Sequence, residues 1–207
     1  MRTRVKICGI TRVEDAQAAA AEGADAIGLV FYRPSPRYVS LELARSVTEQ
    51  TPAFVATVAV FVNPSREEVE QVISECGVTL LQFHGDESPE FCGGFSVPYI
   101  KAARIRPGLD LIKYLSRYAA ARAWMLDAFH NELWGGTGGA FDWGLVPGGM
   151  VKPIILSGGL STGNVADAIR RIRPYAVDVS SSVEAEKGIK DSAKVAAFIG
   201  AVKHENV

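Results

Sequence analysis

A thiol, a carboxyl group and two serine-containing turns are the parts of this chain best suited to chemistry. Cys8 ends the short apolar run Val5-Lys6-Ile7-Cys8, and Gly9 follows where the chain turns. A free thiol ionises at about pH 8.5, and a nearby cation or helix N-terminus lowers that until the thiolate can act as base or nucleophile. Lys6 stands two residues away and an alanine-rich helical pattern begins just downstream, so the expectation is a thiol pulled down. A cysteine in such a run could equally be a small buried hydrophobe. Asp127 closes a second apolar run, Ala123-Trp124-Met125-Leu126, and could hold a transferable proton or simply open a turn. Ser157-Gly158-Gly159 and Ser180-Ser181-Ser182 follow two later apolar runs. Backbone N–H groups there, helped by the positive end of a short helix, could bind a phosphate at Gly158, Gly159, Ser180 and Ser181 without any lysine. Arg37, within Ser35-Pro36-Arg37-Tyr38, could clamp a carboxylate with two parallel hydrogen bonds or lie solvated on the surface. His84 could wall a pocket or be a satisfied core histidine; His130 and His204 read as loop and tail.

Apolar strand patterns alternate with helical ones along the chain, and it is these elements that must bring the groups together. The strands fall at 4–8, 26–31, 54–62, 80–84, 99–102, 123–127, 153–156 and 176–179. Helices are expected at 12–22, 41–50, 67–75, 89–92, 109–120, a short piece around Trp143, 164–172 and 191–202. Gly23 and Gly77 stop the first and third helices, and Ser40 is placed to cap the second. Short, nearly continuous apolar strands joined by helical crossovers imply a parallel sheet covered on both faces. Eight rounds imply closure into a compact α/β single-domain (β/α)8 TIM barrel spanning residues 1–207, a fold that runs down to roughly 200 residues. An open doubly wound sheet is the alternative. The barrel is preferred because candidate polar residues follow nearly every strand, whereas an open sheet gathers its ligands at one switch point. In a barrel the carboxyl ends of all eight strands meet on one face, so Cys8 and Asp127 would sit on roughly opposite sides of one mouth. A substrate would have room between them, and a phosphate site in this fold is commonly built from the loops after strands seven and eight.

Composition narrows the function. The chain is 48% hydrophobic and 22% charged with a formal net charge of -1, which offers nucleic acid no basic surface. Its longest apolar stretch, 54–62, falls far short of the roughly 20 residues a bilayer demands. The basic N-terminus lacks the pattern of a signal peptide, so a cytoplasmic location is expected. Three cysteines, Cys8, Cys76 and Cys92, without metal-ligand spacing suggest free thiols and neither a disulfide framework nor a metal site.

Taken in order, Lys6-Ile7-Cys8-Gly9-Ile10-Thr11, Gly28-Leu29-Val30-Phe31 with Ser35 to Arg37, Gln82-Phe83-His84-Gly85, Leu126-Asp127, Gly135-Gly136-Thr137-Gly138 with Phe141-Asp142-Trp143, Leu156-Ser157-Gly158-Gly159-Leu160 and Val177-Asp178-Val179-Ser180-Ser181 resemble phosphoribosylanthranilate isomerase of tryptophan biosynthesis. The resemblance runs from end to end. It implies a barrel with no metal or organic cofactor, acting on a small phosphorylated substrate as a monomer or homodimer, with no nucleic-acid or membrane partner. It also implies an Amadori rearrangement in which Asp127 matches the general acid, Cys8 the general base, Arg37 the contact to the substrate carboxylate, and His84 and Asp178 pocket positions. Two departures stand out: Gly139-Ala140 where a lysine and threonine are frequent, and Ser182 where a glycine is frequent. A serine at 182 would be strained if that position needs positive φ. The related aminoaldose isomerisation of histidine biosynthesis and a catalytically silent phosphate-binding barrel are the alternatives. Paired aspartates are associated with the first, and the second needs neither Cys8 nor Asp127.

Overall fold

The computed structural model describes residues 2–105, 108–128, 144 and 146–205. Eight parallel strands close into a barrel in sequence order: β1 (Arg4–Cys8), β2 (Ala26–Val30), β3 (Ala56–Phe61), β4 (Leu80–Phe83), β5 (Tyr99–Ile105), β6 (Ala123–Ala128), β7 (Ile154–Leu156) and β8 (Ala176–Val179). Closure comes from β1 pairing with both β2 and β8, with Lys6 opposite Ala26 on one side and Asp178 on the other. Successive side chains of a strand point to opposite faces, and here one face of each strand fills the barrel while the other meets the helices. Leu80, Ile100, Ala102, Ala123, Met125, Ile155 and Ala176 form the inner apolar plug. A larger cluster, including Ile7, Ile27, Phe61, Phe83 and Leu126, lies between barrel and helices.

The helices are α1 (Val13–Glu22), α2 (Leu41–Gln50), α3 (Arg66–Cys76), α4 (Pro89–Cys92), α5 (Leu111–Ser116), α6 (Val165–Ile172) and α7 (Ser192–His204). Ser40 caps α2 through Leu43 N–H as the sequence predicts, and Ser65 with Glu68 forms a reciprocal cap on α3. Gly23 and Gly77 end α1 and α3 in the left-handed region. His204, expected in a tail, is the last residue of α7.

Among the boundaries that differ from the sequence reading, those of β5, α5 and β3 are the most informative. β5 runs to Ile105 instead of 102, because Ala103, Arg104 and Ile105 pair with Leu126, Asp127 and Ala128 of β6. α5 is shorter than 109–120, since Asp110 accepts from Lys113 N–H and sets the start at Leu111. β3 begins at Ala56 instead of 54, and Phe54 stands wholly exposed before it. A short antiparallel hairpin between β8 and α7, made of β9 (Glu184–Glu186) and β10 (Ile189–Lys190), was not foreseen. The expected helical piece at Trp143, the glycine-rich stretch Gly135 to Gly139, and Gly139-Ala140 lie outside the described residues.

One buried ion pair fixes the loop after β4. Lys101, with no exposed surface, donates to Glu87 Oε2 at 2.6 Å and to the Gly85 carbonyl at 2.7 Å. Glu87 Oε1 in turn accepts from the backbone N–H groups of Asn63 and Gly85. Removing one member of such a pair strands a charge in the interior at about 3–5 kcal/mol. Lys101→Met is therefore expected to lower unfolding free energy by that amount, read as a fall in the urea midpoint.

Candidate active site

Every residue singled out as a candidate lines one pocket at the carboxyl end of the barrel. Cys8, Arg37, His84, Asp127, Gly158, Gly159, Asp178, Ser180 and Ser181 all face it, around an open space of about 740 Å3. Cys8 ends β1 and Asp127 lies near the end of β6, each brought to the mouth by its strand.

Cys8 is a free, buried thiol with Gly28 of β2 directly opposite. A Cβ at Gly28 would lie 2.7 Å from the Cys8 sulfur and 3.0 Å from Lys6 Nζ, which explains a glycine inside a strand. Lys6 points into the barrel beneath the thiol and donates to Asp178 Oδ1 at 2.7 Å, while Asp178 Oδ2 accepts from Ser157 Oγ at 3.0 Å. Asp178 is thus occupied by protein partners on both oxygens, and its evident work is to hold Lys6 charged under Cys8. Burial opposes the Lys6 charge, but Asp178 and Cys8 together outweigh it and hold the ammonium above its ordinary range.

The thiol itself departs from expectation. Burial is the largest influence and pushes Cys8 up; Lys6 pulls it down, Asp178 pushes up again, and the result is a thiol above its ordinary value. The downward pull read from Lys6 is real but is beaten by desolvation, which a sequence does not display.

Asp127, 3% exposed, is not isolated either. Its Oδ2 lies 2.9 Å from His84 Nε2, and the other ring nitrogen lies 3.1 Å from Gln82 Nε2. His84 is therefore Asp127's partner as well as a wall of the pocket.

The two loops after β7 and β8 join into one cradle. Gly158 and Gly159 have φ of 84° and 67°, a conformation that β-carbons disfavour, and both line the pocket. Asn164 fixes this turn, donating to the Gly159 carbonyl and accepting from Ser161 N–H. Across from it, Ser181–Val183 forms a single 3-10 turn, and Ser182 Oγ donates to the Leu160 carbonyl at 2.6 Å, tying the loops together. Ser182 is not in the positive-φ region, so the strain anticipated for a serine there does not arise.

Arg37 is held by an acid that sequence reading missed. Its Nε and Nη2 donate to the two oxygens of Glu184 at 2.7 and 2.8 Å, and Lys190 Nζ reaches the same carboxylate at 2.9 Å. Burial works to raise the Glu184 carboxyl, but Arg37 and Lys190 overcome it and hold it below its usual range. Lys190 is shifted down, mainly by burial. The Arg37 stem crosses Gly9, where a Cβ would collide with its Cδ, so the turn after Cys8 needs glycine both for φ of 74° and for room. Glu184 takes the Nε–Nη2 edge of the guanidinium, and among the described residues Nη1 is not engaged in that pairing.

Comparison with known proteins now decides the family. The family model for N-(5'-phosphoribosyl)anthranilate (PRA) isomerase matches residues 5–201. The chain belongs to that family. It is 56% identical over 200 residues to the N-(5'-phosphoribosyl)anthranilate isomerase of Pseudomonas paraeruginosa, covering 97% of this chain and 95% of that one. It is also 56% identical over 202 residues to that of Nitrosospira multiformis, covering 98% and 97%. Among solved structures, phosphoribosyl anthranilate isomerase from Thermotoga maritima superposes with a TM-score of 0.88 at 39% identity, covering 98% of this chain and 99% of that one. A phosphoribosyl anthranilate isomerase in complex with reduced 1-(o-carboxyphenylamino)-1-deoxyribulose 5-phosphate superposes at 0.84 with 38% identity, covering 98% and 99%. These isomerases share the closed barrel described above.

Gly28, Gln82, Glu184 and Lys190 were given no role in the site from sequence, and Lys6 was read only as a cation near the thiol, without its carboxylate partner. For Lys6 a signal existed: period-two alternation puts Lys6 and Cys8 on one face of a strand. A charged residue in that face demands a buried partner, and Asp178 is a charge of the right sign in another buried strand. For Glu184 and Lys190 there was none, because they sit in a hairpin too short and polar to announce itself.

Proposed function

We propose that this chain catalyses the Amadori rearrangement of N-(5'-phosphoribosyl)anthranilate to 1-(2-carboxyphenylamino)-1-deoxyribulose 5-phosphate, the isomerase step of tryptophan biosynthesis. The observation that carries this reading is the shared pocket: Cys8 and Asp127 face it from different strands, between an amide cradle suited to phosphate and an arginine suited to a carboxylate. Asp127 protonates the furanose ring oxygen as the C1–O bond breaks, and the anilino nitrogen supplies the electron pair that makes a cationic Schiff base. Cys8 then takes the C2 proton, leaving a neutral enolamine. Return of that proton to C1, with loss of the hydroxyl proton from O2 to Asp127, gives the ketose and restores both groups. The Schiff-base cation adjoins C2, so it draws the buried thiol down at the moment a base is required, with Lys6 beneath adding to the pull. An acid and a base must hold opposite protonation states at one pH, and two side-chain types in different surroundings achieve this more readily than two of one type. The reading includes a cytoplasmic single-domain enzyme needing no metal or organic cofactor, working as monomer or homodimer. Turnover of the anthranilate substrate, with none of the histidine-pathway aminoaldose, separates it from its nearest rival.

Arg37 serves specificity in this scheme by meeting the anthranilate carboxylate. Charge-assisted hydrogen bonds are worth about 1.5–3 kcal/mol, so Arg37→Ala is expected to lower kcat/KM by about one to two decades. Glu184→Gln, which frees the guanidinium, is expected to raise KM by less than that and to spare kcat. An Arg37→Ala enzyme with unchanged kcat/KM would return Arg37 to a structural role.

Inorganic phosphate is expected to compete with substrate at the cradle. Gly159→Asp would set a carboxylate against the dianion, and like charges about 4 Å apart near a surface repel by about 4 kcal/mol. The phosphate inhibition constant of that variant is expected to rise at least about tenfold. Non-competitive inhibition, or an unchanged constant, would move the phosphate elsewhere.

A further inference from the structure

Gln82 tolerates a buried oxygen without a partner, and the other end of its amide shows what is gained. The residue lies on β4 in the pocket wall, 1% exposed, and its Oε1 has no hydrogen-bond partner among the described residues. Its Nε2 is 3.1 Å from His84 Nδ1 and 3.2 Å from Met125 Sδ. An amide nitrogen carries two hydrogens and accepts none, while a thioether sulfur is an acceptor, if a weak one. Both hydrogens therefore have a receiver, one on the ring and one on the sulfur. Turned end for end, the amide would set its oxygen against the sulfur and leave two N–H groups where one oxygen now goes unmatched. The pocket wall thus holds the nitrogen toward the ring.

That orientation decides where hydrogen can sit on His84. Facing an amide N–H, Nδ1 must be bare, so the ring hydrogen is on Nε2 and is donated to Asp127 Oδ2 at 2.9 Å. Two other arrangements would disarm Asp127 as an acid. With the ring hydrogen on Nδ1, a protonated Asp127 would donate into a bare Nε2, and its proton would be tied up in that bond. With hydrogen on both nitrogens, the ring would hold the proton and leave a carboxylate. That is the ordinary outcome for such a pair, since an aspartic acid ionises at about pH 3.9 and an imidazolium at about pH 6.5. Both arrangements need an Nδ1–H pointing at the Gln82 N–H, and a buried donor without an acceptor is costly. With Nε2 already carrying its hydrogen, a proton added to the pair goes to Asp127 Oδ1, the oxygen that His84 does not hold. Asp127 itself lines the pocket.

We propose that Gln82 is the positioning residue for the acid: by donating to His84 Nδ1 it confines the ring hydrogen to Nε2 and keeps the proton to be transferred on Asp127. The proposal rests on the reading of Asp127 as the group that protonates the ring oxygen. Proton balance closes within one turnover without any movement of the amide. When Asp127 gives up its Oδ1 proton, the carboxylate keeps the hydrogen bond from Nε2, now strengthened by charge. The O2 hydroxyl of the enolamine then returns a proton to Oδ1. The imidazole carries one hydrogen, on Nε2, throughout.

Nitrogen-15 spectra of histidine-labelled protein report the two ring nitrogens directly, and with three histidines in the chain the His84 signals are assigned by their loss in His84→Asn. Wild-type enzyme is expected to show hydrogen on Nε2 and a bare Nδ1, both free and with reduced 1-(o-carboxyphenylamino)-1-deoxyribulose 5-phosphate bound. Gln82→Glu sets an acceptor against Nδ1. It is expected to bring hydrogen onto that nitrogen and to lower kcat at least about tenfold, a part of what a general acid contributes, with KM moved less. Gln82→Met, of similar length but with neither donor nor strong acceptor toward the ring, is expected to lose less kcat than Gln82→Glu. A role in packing alone predicts the reverse order, because glutamate is the closer match in shape. Hydrogen on Nδ1 in the wild-type enzyme would overturn the proposal without recourse to any variant. So would a Gln82→Glu enzyme with a bare Nδ1 or undiminished kcat, or one more active than Gln82→Met. Asp127→Asn run in parallel separates the two readings. If that variant keeps its kcat the acid assignment fails, whereas if it is inactive and the Gln82 results are contrary, only the role of the amide fails.

Discussion

Cys8→Ser is expected to lower kcat by at least about 10²-fold while leaving the fold intact, because general base catalysis contributes roughly 10²–10⁴-fold. The hydroxyl occupies nearly the space of the thiol, so the packing against Gly28 is preserved, but it is a far poorer proton acceptor at neutral pH. A thiol that merely filled space would tolerate the change, and a serine enzyme retaining more than about a tenth of wild-type kcat would remove Cys8 from the role of base. The pH dependence has a definite sign. Burial holds the free thiol above its ordinary value, so the thiolate is the minor form at neutrality and grows as pH rises. For a base acting from the free enzyme, kcat/KM reports that ionisation, and it is expected to climb from neutral into alkaline solution. A profile flat across that range would separate the thiol from the rate. Alkylation of Cys8 should abolish turnover, and saturating product should slow the alkylation.

Asp127→Asn is expected to cost about 10²–10⁴-fold in kcat by removing the proton given to the ring oxygen. Asparagine keeps the shape and a hydrogen bond to His84, so KM should change far less. Loss in the double variant with Cys8→Ser is expected to be far smaller than the product of the single losses, because groups serving one coupled sequence are not additive. A double variant whose losses multiply would mean that the two groups act in separate events.

The barrel and the ring of groups at its mouth were legible in the sequence for a simple reason. Each strand is short and largely apolar, polar or turn-forming residues lie at or just beyond the ends of most of them, and closure gathers those ends into one site. Cys8, Asp127, Ser157-Gly158-Gly159 and Ser180-Ser181 all announced themselves that way. What stayed hidden depended on partners. Lys6 and Asp178 lie 172 residues apart in sequence, and only the pairing of β1 with β8 sets them side by side. Glu184 belongs to a hairpin of two very short strands, and no periodicity reveals that its carboxylate grips Arg37 from across the mouth. The thiol was read in the wrong direction because the nearby lysine is visible in sequence and the water excluded from around Cys8 is not. The extension of β5 to Ile105 was missed because Arg104 interrupts an apolar run, although it stands in register with Asp127 beside the pocket.

The central claim is tested most directly by adding N-(5'-phosphoribosyl)anthranilate to the purified chain and following its anthranilate fluorescence. The account predicts a decay that depends on enzyme concentration, yields the 1-deoxyribulose product, and disappears in both Cys8→Ser and Asp127→Asn. Fluorescence that fades no faster with the folded wild-type chain than without it would contradict the account.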